Sequence, residues 1–534
     1  MKWIVIALAA GVVLVIAATA LLPRVVDTPR VQSLIASSAS QALARPVRFR
    51  SASVAAWPYP AVRLRDVEIA EDPAFGGDPF VRLDHAEVRL KLWPLLRGRF
   101  EFTTVMLRRP IMTLTHGPGG RWNFASLGGP REAAAVPRAP RIGGGAAVPA
   151  GLATRVVIEK GTVVYERRGT AGVTLRQRLE DVDASLSPSA GGLAFSGAAR
   201  VVPGGLWVKI SDGTIGLAGA RTLAEASLRG RMAIDGEDVR PLAASVLGDE
   251  PAMGGALTGR LDLSGSLGRP RAVGELEWRD ATVTRTSAAC AEPRRRTLRL
   301  ATVKASVSWR DGRLVAEPLT SGIARGTAKT RLVATTSAPT RAELSELAIE
   351  RIPLEPVVVD FLCLDYAVVG LFDLTGTLTL APADPLRTLS GRGRVHVGAG
   401  RVVGTRALTL LGGLVRGVGS AASRLNPDLP ATLAGSPLEF DSIAGGFEIT
   451  NGVVTTRDLV YTSRSMTVRA RGDYAMASAR VNADVTVEHD RGVMQAKVTG
   501  PADSPSIRLP SSLARTLDPD RAERGFKDLL KKFR

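Results

Sequence analysis

Apolar and polar residues alternate along most of the chain with the period of two that is typical of β-strands. The clearest alternation occupies two stretches, whose apolar positions are Val303, Ala305, Val307, Val481, Ala483, Val485 and Val487. Because successive side chains of a strand point to opposite faces, each stretch predicts one apolar face and one polar face. Strands of this kind are typical of antiparallel sheet that water wets on one side. The pattern therefore predicts a mainly β protein with a few short helices.

Local signals add a helix, a hairpin and a repeat to this picture. A helical period predicts a short helix from about residue 29 to 43, with Thr28 as its N-cap and Pro46 beyond its end. Asn451-Gly452 lies between two strand-like runs and predicts a two-residue hairpin turn. The segment LTGRLDL at 257–263 recurs as LTGTLTL at 374–380, which favours a sheet that grows by the addition of strand units.

The longest apolar run lies at the N-terminus. It extends from Ile4 through Leu14 to Leu22 and contains no charged residue. A helix of these nineteen residues would be about 28 Å long, close to the ~30 Å hydrocarbon core of a bilayer. We therefore predict a single transmembrane anchor, with the rest of the chain on one side of the membrane. A cleaved signal peptide is the alternative, because Ala18-Thr19-Ala20 fits a cleavage site; both interpretations export residues 23–534.

The C-terminal residues predict a basic amphipathic helix. Its apolar face would carry Phe526, Leu529, Leu530 and Phe533, which follow the spacing of one helix face. From Arg521 onward six basic residues stand against two acidic ones, so the helix could lie on an anionic membrane surface. The other interpretation is that its apolar face closes the open end of the sheet, as a long sheet edge requires.

Composition narrows the function classes. The net charge is +19, but the basic residues are dispersed, whereas nucleic-acid recognition requires a concentrated patch or stripe. We therefore expect no nucleic-acid partner, and the charge is either a solvated surface or an attraction to anionic lipid headgroups. Aromatic residues make up only 5% of the chain, so a tightly packed core of the usual kind is not expected.

The sequence carries no grouped catalytic chemistry. There is no phosphate-binding loop, no HExxH, no nucleophile elbow and no CxxC pair, and the four histidines lack metal-ligand spacing. We therefore expect no enzyme activity, no cofactor and no metal site. Export would permit a disulfide between Cys290 and Cys363, but their spacing does not decide the matter, and Cys363 lies in an apolar run like a core residue.

The N-terminal sequence resembles the AsmA family of Gram-negative envelope proteins. The resemblance lies in the anchor, the short helix and a series of motifs in the expected order: Arg45-Pro46-Val47, Trp57-Pro58-Tyr59-Pro60, Leu92–Gly98, Arg109-Pro110-Ile111 and Gly119–Phe124. Residues 376–474 resemble the C-terminal region of the family. The chain has Ala44 where the family usually has Gly, and its Asn123 is flanked by Trp122 and Phe124.

The resemblance implies an elongated, twisted antiparallel sheet that is curled into an apolar groove and anchored in the inner membrane. It further implies a periplasmic protein that moves phospholipid toward the outer membrane and supports the integrity of that membrane. The expected partners are phospholipid, the inner membrane and an outer-membrane or envelope protein, and the alternating residues named first would line the groove. The alternative function is an envelope assembly factor that assists outer-membrane protein biogenesis through its sheet edges.

These observations predict six regions. They are an anchor over 1–24, an AsmA-like N-terminal region over 25–128, a Pro/Gly/Ala-rich linker over 129–150, β-rich repeats over 151–350, an AsmA-like β region over 351–510 and the amphipathic helix over 511–534.

Overall fold

The structure is a computed structural model. It describes residues 29–55, 60–91, 102–127, 154–169, 172–248, 250–288, 290–335, 340–364, 367–381, 384–403, 439–464, 466–489, 492–502 and 505–508. The predicted anchor, the predicted linker and the predicted C-terminal helix lie outside these ranges. The chain divides into two compact units. The first comprises Met1–Ser245, Ala256–Leu276 and Val307–Asp311, and the second comprises Val246–Gly255, Glu277–Ser306 and Gly312–Arg534.

The described residues are mainly in strands, which confirms the predicted fold class at that level. The first half of the chain contains β1 (Val47–Arg48), β2 (Ser51–Ala55), β3 (Ala61–Ile69), β4 (Val81–Leu90), β5 (Phe102–Arg108), β6 (Ile111–His116), β7 (Arg155–Gly169), β8 (Gly172–Ser189), β9 (Gly192–Val202), β10 (Trp207–Gly216), β11 (Ser227–Gly236), β12 (Ala252–Ser266) and β13 (Arg269–Thr286).

The second half continues with strands of similar length. They are β14 (Arg295–Arg299), β15 (Val303–Arg310), β16 (Arg313–Ile323), β17 (Gly326–Thr335), β18 (Arg341–Pro353), β19 (Ala367–Val369), β20 (Leu371–Leu380), β21 (Ser390–Val397), β22 (Gly400–Val403), β23 (Glu439–Phe440), β24 (Ser442–Thr450), β25 (Val453–Thr462), β26 (Met466–Ala475), β27 (Arg480–His489), β28 (Gly492–Pro501) and β29 (Ser506–Arg508).

Helical segments are few and short. They are α1 (Pro29–Leu43), α2 (Arg240–Leu247), α3 (Pro385–Thr388), 3-10 turns at Asn123–Ser126 and Leu223–Glu225, and a π-helical segment at Pro356–Phe361. α1 confirms the helix predicted from residue 29 to 43. The two copies of the sequence repeat fall within β12 and β20, and α2 and the π-helical segment precede them.

In the first unit β3 pairs with β4, and β4 pairs with both β5 and β6. β7, β8, β9, β10 and β11 follow in that order. β1 and β2 both pair with the other edge of β3. β7 pairs in parallel with β5 and β6, and the other pairings named here are antiparallel. The main core of this unit lies beneath α1, where Ile35, Ala39 and Leu43 pack against buried residues such as Leu64 and Leu83. The apolar face of α1 thus covers the short first strands.

In the second unit the strands from β16 to β29 follow one another in an antiparallel series. The order is β16, β17, β18, β20, β21, β24, β25, β26, β27, β28 and β29. β19, β22 and β23 form a separate three-stranded sheet. Asn451 and Gly452 both have positive φ angles, 49° and 77°, between the paired residues Thr450 and Val453, which confirms the predicted hairpin turn.

Residues with positive φ interrupt many of the strands. Asp66, Lys160, Asp181 and Asp212 all have φ near 50°, and the strand register shifts near Lys160, Asp181 and Asp212. An extra residue of this kind forms a β-bulge, which bends the strand and increases its right-handed twist. The resemblance to the AsmA family implies a twisted sheet, and these bulges are a source of local twist within the first unit.

Candidate functional site

Three neighbouring strands of the second unit carry rows of apolar residues on one face. Val485 of β27 lies opposite Ala470 of β26 on one side and Ala496 of β28 on the other. Ala483 lies opposite Val498 in a parallel row. Residues directly opposite each other share a face of an antiparallel sheet, so these side chains form a continuous apolar surface across the three strands.

The apolar rows are only partly covered. Val481, Ala483 and Val485 are half-buried, whereas Val487 is 6% exposed and Ala496 is 5% exposed. In a two-layer domain the central strands bury such a face completely against a second layer. In the described part of this unit the face retains access to solvent, as expected for a surface that receives a ligand.

The opposite face of the same strands is charged. Asn482 and Asp484 of β27 are exposed, and the Asp484 carboxylate lies 4.0 Å from Lys497 Nζ on β28. Arg469 Nε of β26 lies 3.3 Å from Glu488 Oε1. These exposed ion pairs contribute little stability, but they keep the outer face soluble.

The first predicted stretch shows the same alternation. Val303 and Ala305 of β15 are half-buried, whereas Lys304 between them is exposed. Val307, 6% exposed, belongs to the first unit. The seven predicted groove residues thus all lie on the less exposed face of a strand, and their role in binding stays a prediction.

A buried polar network connects two motifs of the N-terminal region that are far apart in sequence. The Arg45 side chain, 3% exposed, donates from Nη1 to Glu71 Oε1 at 3.2 Å, and Asn123 Nδ2 donates to the other Glu71 oxygen at 2.7 Å. Arg45 Nη2 also donates to the Asn123 carbonyl and to Ser126 Oγ. Asn123 is fully buried, and its Oδ1 accepts a hydrogen bond from the Thr115 amide.

The loop after β3 is part of this network. The Ser126 hydroxyl donates to Asp72 Oδ2 at 2.7 Å, and the Ala74 amide donates to Asp72 Oδ1 at 3.0 Å. The Ser126 hydrogen bond is the main cause that holds the pKa of Asp72 below its ordinary value of 3.8, against the opposing effect of burial. The carboxylate is therefore ionised at neutral pH and helps to neutralise Arg45.

A second cluster of polar groups lies at the β13–β14 hairpin of the second unit. Cys290, in the loop between these strands, forms a disulfide with Cys363, which follows the π-helical segment. The guanidinium of Arg285 on β13 lies 5.9 Å from the centre of the Phe361 ring. Arg285 is paired directly with Arg296 of β14. Sequence reasoning missed this cluster, although the Arg294-Arg295-Arg296 run close to Cys290 was a visible signal.

Several predicted site residues lie outside the described residues. These are the anchor residues Ile4, Leu14 and Leu22 and the C-terminal apolar residues Phe526, Leu529, Leu530 and Phe533. Across the ranges that the structure does describe, no helix combines the length and apolar composition needed to cross a bilayer. Within those ranges, too, no three His, Cys, Asp or Glu side chains converge as metal ligands.

The fold and these faces define a mainly β protein whose strands separate an apolar from a charged surface. Residues 1–163 match the model of the AsmA family, which confirms the resemblance that the N-terminal sequence predicts. The match includes α1, β1 to β6 and the whole Arg45–Asn123 network. The resemblance of residues 376–474 lies outside the matched range and stays a prediction. No curated protein and no solved structure matches the chain significantly.

Proposed function

We propose that this protein is anchored in the inner membrane and carries phospholipid through the periplasm along its apolar strand faces, supporting the integrity of the outer membrane. The observation that carries the proposal is the half-exposed apolar surface of β26, β27 and β28, which is backed by a charged outer face. The match of residues 1–163 to the AsmA family supports an envelope-related role.

The energetics of lipid movement explain why such a face is useful. Exposing an acyl chain to water costs ~0.8 kcal/mol per CH₂, so exposing a sixteen-carbon chain costs on the order of 12 kcal/mol. Small side chains such as Ala483 and Val485 offset that cost by covering the chain without filling the space that it needs. The headgroup stays in solvent throughout. Movement of this kind breaks no covalent bond, so it needs neither a catalytic residue nor a cofactor.

The proposed location rests on the predicted anchor over residues 4–22 and on the disulfide. Disulfides form and persist in oxidising compartments such as the bacterial periplasm, so the bond between Cys290 and Cys363 supports export of this unit. A reporter that is active only outside the cytoplasm, fused after Arg534, should therefore be active. Activity of a cytoplasm-dependent reporter at the same position would contradict the proposal.

A photo-reactive residue in place of Val485 tests the binding surface in living cells. We expect a phospholipid adduct, identified by mass spectrometry of the purified full chain. The matched control places the same residue at Asp484, on the opposite face of the same strand, where no lipid adduct should form. Polypeptide adducts at Val485 without lipid would instead favour the assembly-factor alternative, and equal lipid labelling at both positions would refute a one-sided surface.

A further inference from the structure

Two arginines face each other where the apolar side of β13 meets that of β14. Arg285 lies directly opposite Arg296, and the next pair on the same face is Val283 with Leu298. The residues between them, Thr284 and Thr297, belong to the other face. Like charges directly opposite each other destabilise an antiparallel pair, so this register places an unfavourable charge pair at the end of an apolar row.

No described carboxylate compensates the two charges. Neither Arg285 nor Arg296 forms a salt bridge within the part of the chain that the structure describes. Two carboxylates that contact this hairpin have other partners: Glu292 pairs with Arg294 at 3.0 Å, and Glu250 accepts a hydrogen bond from the Thr286 amide at 3.1 Å. The hairpin therefore presents two positive side chains side by side.

One hydrogen-bond donor of the Arg296 guanidinium has no partner among the described residues. Its Nη2 donates to the Ala291 carbonyl at 3.3 Å, but its Nε is buried and has no hydrogen-bond partner among the described residues. A buried donor without a partner destabilises the protein, because it has lost its hydrogen bonds to water. Guanidinium groups match the oxygens of a phosphate with two parallel hydrogen bonds, so a phosphate placed between Arg285 and Arg296 would relieve both the repulsion and the missing hydrogen bond.

A disulfide holds the hairpin that carries the two arginines beside the π-helical segment. The Cys290–Cys363 disulfide connects the β13–β14 loop to the end of the π-helical segment that carries Phe361. The Phe361 ring in turn lies beside the Arg285 guanidinium, at 5.9 Å from its centre. A site whose parts are fixed before binding loses less conformational entropy when the ligand arrives.

We propose that Arg285 and Arg296 bind the phosphate of a phospholipid headgroup, with the acyl chains on the apolar face that Val283 and Leu298 begin. This inference rests on the proposed function and deepens it by naming the headgroup chemistry. Because the described residues leave both positive charges uncompensated, the site favours lipids with a net negative charge over zwitterionic lipids. Phosphatidylglycerol is the probe for the first class and phosphatidylethanolamine for the second.

The test compares two double variants of the full chain. Arg285→Gln with Arg296→Gln removes the pair on the apolar face. Arg295→Gln with Arg299→Gln removes the same charge from the opposite face of β14, where both arginines are exposed. The proteins are loaded from mixed vesicles of the two probe lipids in equal amounts, and the bound lipids are quantified by mass spectrometry. The mass of each intact variant, measured under non-reducing conditions, verifies that it retains the Cys290–Cys363 disulfide.

We expect the ratio of bound phosphatidylglycerol to phosphatidylethanolamine to fall roughly tenfold in the Arg285/Arg296 variant. Both lipids carry the same phosphate, but the two arginines repel the ammonium group that only phosphatidylethanolamine carries, and the variant removes that repulsion. The control variant should keep the ratio of the unchanged protein. Equal ratios in all three proteins, with lipid bound, would overturn the phosphate site and leave lipid carriage standing. A complete absence of bound lipid in the unchanged protein would overturn both.

A second arm separates lipid from free phosphate. Inorganic phosphate is titrated into lipid-free protein and into lipid-loaded protein. The lipid site is supported if phosphate displaces phosphatidylglycerol only at concentrations far above those at which the lipid binds, and only in proteins that retain Arg285 and Arg296. Tight binding of inorganic phosphate that depends on the two arginines, without any preference between the lipids, would overturn the lipid assignment.

Discussion

At the scale of single residues, Asn123 explains how the N-terminal region is held together. Its side chain is completely buried, yet its oxygen and nitrogen both have partners: the Thr115 amide, the Thr113 carbonyl and Glu71 Oε2. Buried polar groups are tolerated when every donor and acceptor is satisfied. Asn123 therefore links its own segment to β6 and to the loop after β3, and through Glu71 to Arg45.

The substitution Glu71→Gln tests this network. It leaves the Arg45 charge buried without its main ion-pair partner, which costs ~3 kcal/mol when other acceptors remain, as Asn123 and Ser126 do here. The free energy of unfolding is measured in urea through tryptophan fluorescence, to which Trp122 contributes; its ring centre lies 5.1 Å from that of Phe124 beside the network.

Glu68→Gln is the matched control. Its carboxylate pairs with Arg82 at 3.0 Å, but both side chains are largely exposed, so the loss should stay below about 1 kcal/mol. Equal losses in the two variants would show that the buried network contributes no more than a surface ion pair.

At the scale of single elements, left-handed residues shape the strands. Asp212 interrupts β10 with a φ of 51°, and the partner register of β10 shifts beside it on both β9 and β11. A Cβ on the following residue, Gly213, would lie 2.5 Å from the Phe195 carbonyl, so glycine is required there. Asp212 itself is held by Arg231, whose Nε donates to Oδ2 at 3.1 Å.

Substitutions at Asp212 test the bulge. Val disfavours the left-handed conformation, so Asp212→Val should destabilise the protein by about 1–2 kcal/mol more than Asp212→Gly, because Gly adopts that conformation without a steric penalty. Urea unfolding measures both. Thr214→Val, at an exposed extended position of the same strand, should be nearly neutral. Indistinguishable results for Val and Gly at position 212 would refute the assigned backbone conformation.

At the scale of the whole molecule, the disulfide is the longest covalent constraint among the described residues. It joins positions 73 residues apart, Cys290 and Cys363, within the second unit. A cross-link stabilises a protein mainly by reducing the freedom of the unfolded chain, and the effect grows with the length of the closed loop. The bond thus stabilises the same hairpin and helical segment that carry the arginine pair.

Removal of the disulfide should lower the urea midpoint. The chain-entropy argument gives a loss of about 4 kcal/mol for a loop of this length, as an upper limit. Reductant should therefore shift the unfolding of the unchanged protein, whereas Cys290→Ser with Cys363→Ser should unfold early and show no further response. Titration of the freed thiols verifies reduction, and an unshifted midpoint in the fully reduced protein would contradict the prediction.

The sequence alone determined the elements that depend on local periodicity. The helix from Pro29 to Leu43, the Asn451-Gly452 turn and the alternating strands β15 and β27 all follow from backbone geometry repeated within a short segment. The separation of apolar from charged faces is equally local, because neighbouring side chains of a strand must point apart.

Only the tertiary structure decided which distant residues meet. The Arg45–Asn123 contact, the Cys290–Cys363 bond and the Arg285–Arg296 pair all depend on the register between segments that the chain brings together. The alternation of apolar and polar residues does not predict which residues pair between strands. A bulge at Asp181 or Asp212 shifts the pairing, and an aspartate in the sequence signals such a bulge less clearly than a glycine does. Chemistry that one segment contributes alone is therefore readable in the sequence, whereas chemistry shared between segments emerges only when the strands pair.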